Sequence, residues 1–155
     1  MTRFQRRATL ILGIGLLASV FGFVAFAGID GLRPSTISGA VLLAGAGAAD
    51  VASYARDEYR IAGRTVRWRH LYAVGTGLLA IGLVVTTLPT IDSTPGLGVA
   101  TLLGASSLLF FSYQALVDGP HLDLDAEPSK TRLLVVALAA IGCVGLGAVA
   151  TIVLS

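Results

Sequence analysis

The chain has 155 residues, of which 55% are hydrophobic and 13% charged, with a formal net charge of +2 and a mean hydropathy of +0.83. Soluble domains carry about 45–50% apolar and about 25% charged residues, so these proportions exclude that class and leave an integral membrane protein. Scarce charge also excludes a disordered chain, and Cys143 as the only cysteine excludes a disulfide scaffold.

Crossing a hydrocarbon core of about 30 Å takes about 20 mostly apolar residues of helix. Five such runs occur, at 8–27, 36–53, 71–90, 97–117 and 133–154, and Asp50 is the only charged residue inside any of them. None alternates polar and apolar residues as a barrel strand does, and a helix satisfies its own backbone in lipid. The expected fold is an all-α membrane protein of five transmembrane helices, forming a single domain over 1–155.

The first run follows Arg6 and Arg7 and ends in Ala25-Phe26-Ala27, a pattern shared with cleaved signal peptides. It is longer than a signal core, and the residues around the arginine pair do not form a twin-arginine address, so a span is predicted. A short turn at 28–35 leads to the second run, where Ala40, Ala44 and Ala48 recur at four-residue spacing. Asp50 lies about one turn from the end of that run, within reach of interfacial water or of Arg56. The connection 54–70 is long and holds Arg56, Arg60, Arg64, Arg67 and Arg69 among Tyr, Ile, Val and Trp. It is expected to lie on anionic headgroups, each basic residue adding about 1 kcal/mol of attraction. Asp57 and Glu58 dilute its charge and argue against nucleic-acid binding.

The third run carries Ala73 and Gly77, and the turn at 91–96 precedes the fourth, with Ala100 and Gly104. Ser107, Gln114 and Asp118 are seven and eleven residues apart, hence on one helical face. With Asp50 they form the candidate proton or cation site; the alternative is that all four only serve interhelical hydrogen bonding. After a charged connection at 118–132, the fifth run carries Cys143 and Gly147. Lipid tails are as apolar as Leu, so helices associate through close contact at small residues. Ala44, Ala48, Gly77, Gly104 and Gly147 are the expected packing positions, with the fifth span as the candidate seat of another subunit.

Shifting the chain by 62 positions aligns Gly13-Ile14-Gly15-Leu16-Leu17-Ala18 with Gly75-Thr76-Gly77-Leu78-Leu79-Ala80, and Ile29-Asp30 with Ile91-Asp92. The expected organisation is two same-orientation helical hairpins, from an internal repeat, plus a fifth helix. Ten of the eleven Lys and Arg fall on one side of the predicted topology, leaving Arg33 alone on the other. The positive-inside rule therefore puts the N-terminus in the cytoplasm and the C-terminus outside, in the plasma membrane. Trp68, Tyr54, Tyr59 and Tyr72 near the inner boundary, and Phe21, Phe23 and Phe26 near the outer, fit interfacial belts.

The two Gly-x-Gly strings fit a dinucleotide fingerprint but lie inside apolar spans, without the strand that motif needs before it. His70, His121 and Cys143 are too few and too scattered to predict a metal, haem or other cofactor site, and no Ser lies in a nucleophile elbow. The expected function is that of a non-enzymatic structural or accessory subunit of a membrane assembly. Its expected partners are the lipid bilayer and either a protein partner or further copies of itself. The alternative is a small transporter or channel for a proton, cation or small solute.

Overall fold

A computed structural model describes residues 3–28, 32–61 and 63–119. They form α1 (Arg3–Ala27), α2 (Pro34–Ala55), the strands β1 (Glu58–Ile61) and β2 (Arg64–Arg67), α3 (Trp68–Thr87) and α4 (Pro95–Val117). The four helices are long and apolar enough to cross a membrane. The fifth predicted span, with Cys143 and Gly147, lies outside the described residues, as do His121, Lys130 and Arg132.

Local chemistry sets the helix ends. Pro34 and Pro95 open α2 and α4 at the first helical position, where a missing N–H removes no helix hydrogen bond. Pro89 lies in a 3-10 turn, Leu88–Thr90, that follows α3, since proline has no N–H to continue the α-helical ladder. Gly28, with φ of 72°, ends α1 in the left-handed conformation and donates its N–H to the Val24 carbonyl at 2.9 Å. Asp118 ends α4 in the same conformation.

Each helix packs on its neighbour in sequence, α1 on α2, α2 on α3 and α3 on α4. Among the described residues the buried apolar side chains are all alanines, Ala46, Ala73, Ala80, Ala105 and Ala115, whereas Ile11, Phe21, Phe26 and Leu103 are exposed. That is the expected distribution where the solvent is lipid and helices gain from backbone proximity. Several span hydroxyls are satisfied along their own helices: Thr76 donates to the Tyr72 carbonyl at 2.9 Å, Thr86 to Gly82 at 2.9 Å and Ser106 to Leu102 at 2.8 Å.

The connection 54–70 is not an irregular surface loop. β1 and β2 pair antiparallel, Glu58 with Arg67 and Ile61 with Arg64, around a two-residue turn containing Gly63 at φ of 77°. Tyr59 and Val66 share one face and are half-buried, and the Tyr59 hydroxyl donates to the Ala52 carbonyl at 2.8 Å. Glu58, Arg60, Thr65 and Arg67 share the other face and are exposed.

Candidate functional site

Asp50 is 2% exposed in the last third of α2. Glycines on both neighbouring helices make room for it. A β-carbon on Gly13 of α1 would lie 3.0 Å from Asp50 Cβ, and one on Gly75 of α3 would lie 2.6 Å from Asp50 Oδ1 and 3.2 Å from the Ala46 carbonyl oxygen. The carboxyl therefore sits in a notch that only a residue without a side chain leaves open. Ser53, fully buried one turn on, donates to the Asp50 main-chain carbonyl at 2.7 Å.

Asp50 Oδ1 is buried without a hydrogen-bond partner among the described residues. Of the partners within reach of Asp50 in the sequence, interfacial water, Arg56 or another loop arginine, no arginine pairs with it among the described residues: Arg56 is exposed, and the ion pairs run from Arg6 to Asp57 and from Arg69 to Asp118. A carboxyl oxygen buried inside a span without a partner is costly, which marks Asp50 as the candidate functional position.

The stripe on α4 does not join Asp50. Ser107 is exposed, with its hydroxyl bonded to the Leu103 carbonyl at 3.0 Å. Gln114 is 7% exposed, its Oε1 without a partner and tucked under Gly119, the residue that turns back to bond the Gln114 carbonyl at 2.9 Å. Asp118 pairs with Arg69 at 2.5 Å at the helix end. Sharing a face of α4 is not sufficient, because α4 packs on α3 while Asp50 looks to α1 and α3.

The packing positions divide similarly. A β-carbon on Gly77 would meet Ser112 Oγ at 3.1 Å, and Ser112 donates to the Ala73 carbonyl at 2.7 Å across the α3–α4 seam. In α2 the buried line runs through Gly39, Ala46, Gly47, Asp50 and Ser53, with Ala44 half-buried and Ala48 exposed. Gly104 faces open space among the described residues. Sequence reasoning did not single out Gly13 and Gly75 as the walls of the Asp50 notch; their shared Gly-x-Gly string was the available signal.

At the arginine-bearing end, Arg56, Arg60, Arg64 and Arg67 are exposed on or beside the hairpin, and Arg69 is partly buried with Nε unpartnered. Arg6, Arg7, Tyr54 and Ala55 line an open groove of about 400 Å³ between the start of α1 and the end of α2. Among the described residues, no three His, Cys, Asp or Glu gather as a metal-binding group.

No curated protein and no solved structure matches this chain. A family model matches residues 4–128, a stretch that contains nearly all of α1 and the whole of α2, α3, α4 and the hairpin. The chain belongs to that family, a family of unknown function (DUF7994).

Proposed function

We propose that the protein is a non-enzymatic membrane subunit, a helical scaffold that offers a small-residue face to another membrane protein. The observation that carries this reading is the contrast between glycines. Gly13, Gly47 and Gly75 have neighbours within about 3 Å of where a β-carbon would stand, whereas Gly104, four residues after the exposed Ala100, has none within 4 Å among the described residues. A small-residue notch without a neighbour is the form of a helix-docking face. The test is gentle extraction followed by native mass spectrometry. A partner or further copies at fixed ratio, released by Gly104→Leu in a chain that keeps its helicity, supports the reading. A lone monomer opposes it.

The second reading is a proton or cation transporter, favoured by the buried, unpartnered Asp50 Oδ1. Its test is flux into proteoliposomes. Loss of flux in Asp50→Asn supports transport, and undiminished flux removes Asp50 from the mechanism.

Both readings take the N-terminus as cytoplasmic and the protein as resident in the plasma membrane. Support comes from Arg6, Arg7, the hairpin arginines, Arg69 and Trp68, which gather where the start of α1, the end of α2 and the start of α3 meet. The duplication is likewise proposed, supported by Gly13 and Gly75, aligned in sequence and both set against the Asp50 segment.

A further inference from the structure

We infer that the groove between the start of α1 and the end of α2 binds the phosphate group of an anionic membrane lipid. Its lining is two guanidiniums and a phenol, with Ala55 too small to fill it, in a space of about 400 Å³. Arg6 is held by Asp57 through one of its terminal nitrogens, which fixes the guanidinium and leaves its other N–H groups available. The side chains of Arg7 and Tyr54 have no hydrogen-bond or ion-pair partner among the described residues. Two arginines against one aspartate leave a single net positive charge, matching a phosphodiester monoanion. The planar fork of Arg suits phosphate oxygens, and the Tyr54 hydroxyl supplies a further donor.

The surface beneath the groove selects a lipid over free phosphate. From Arg7 the same face of α1 descends through Ile11, Ile14, Ala18 and Phe21, at spacings of four, three, four and three, and each is exposed among the described residues. A headgroup at Arg7 thus places its acyl chains on a continuous apolar stripe. The hairpin face of Glu58, Arg60, Thr65 and Arg67 has no such stripe, and β1 and β2 are only four residues each. The binding site is therefore assigned to the groove, and the hairpin arginines contribute only general attraction to the leaflet.

The experiment is native mass spectrometry of the full chain in detergent, titrated with phosphatidylglycerol, with phosphatidylcholine, or with phosphatidylglycerol plus millimolar inorganic phosphate. The expected result is one tightly retained phosphatidylglycerol, weaker phosphatidylcholine, and no displacement by inorganic phosphate. Loss of one charge-assisted contact in Arg7→Gln should weaken retention about tenfold. Tyr54→Phe should weaken it less, and Arg60→Gln should leave it unchanged, with circular dichroism checking that each variant keeps its helices. Equal loss in Arg60→Gln and Arg7→Gln would overturn the proposal in favour of diffuse charge attraction. Retention unchanged in Arg7→Gln would overturn the groove as the site, and displacement by inorganic phosphate would overturn the choice of lipid.

Discussion

Gly75 of α3 stands so close to Asp50 of α2 that a β-carbon on it would lie 2.6 Å from Asp50 Oδ1. No real β-carbon tolerates that separation, so Gly75→Ala must push the carboxyl out of its notch or part the helices. A loss of about 1–3 kcal/mol is expected, the usual range for overpacking. Gly15→Ala is the control, because its added methyl meets nothing within 4 Å. That change should be neutral or gain up to about 1 kcal/mol of helix propensity. Unfolding of both variants in mixed micelles checks the pair, and equal stabilities would remove the notch.

Gly13 and Gly47 meet reciprocally: a β-carbon on either would lie 2.8 Å from the carbonyl oxygen of the other. Gly47→Val is expected to separate α1 from α2 while leaving the α3–α4 pair intact. Hydrogen exchange checks this, with protection lost in α1 and α2 and retained around Ala73 and Ser112. Uniform loss across all four helices would mean that the pairs do not open independently.

Ser112 crosses to the Ala73 carbonyl at 2.7 Å, but within the helix that carbonyl can also accept the Gly77 N–H. Ser112→Ala therefore deprives no backbone group of its only partner. The expected loss is about 0.6 kcal/mol, typical of interhelical hydrogen bonds in membranes. A loss several times larger in the same micelle unfolding assay would point to a cavity or a second contact.

Asp118 has φ of 57° and ψ of 41°, a conformation that disfavours most L-residues. Its side chain is 76% exposed, so the pair with Arg69 adds little stability. Asp118→Gly is expected to be neutral or slightly stabilising, and Asp118→Val to lose about 1–2 kcal/mol. Thermal unfolding of the two variants measures the difference, and identical midpoints would show that the left-handed cap is not what the position selects for.

The four spans at 8–27, 36–53, 71–90 and 97–117 were legible in the residues because hydropathy and length are properties of a segment by itself, and the expected starts at 36 and 97 fall two residues after the observed ones at Pro34 and Pro95. The hairpin was also written locally, in the alternation of Glu58-Tyr59-Arg60-Ile61 and Arg64-Thr65-Val66-Arg67 around Ala62-Gly63. The five arginines spread through the connection give it the character of a basic surface segment and mask the period of two.

Sequence alone determined which segments are apolar enough to span, where the charge collects, and that small residues would mediate packing. Tertiary structure decided which small residues do so: among the described residues Gly13, Gly47 and Gly75 face close neighbours, while Gly104 faces open space and Ala48 is exposed. It also placed Asp50 between α1 and α3, away from Ser107 and the polar stripe of α4. The physical reason is that a span made of Ala, Gly, Leu and Val is nearly uniform around its circumference. Its hydrophobicity states that it enters lipid, but its rotation is set only when one backbone comes within reach of another.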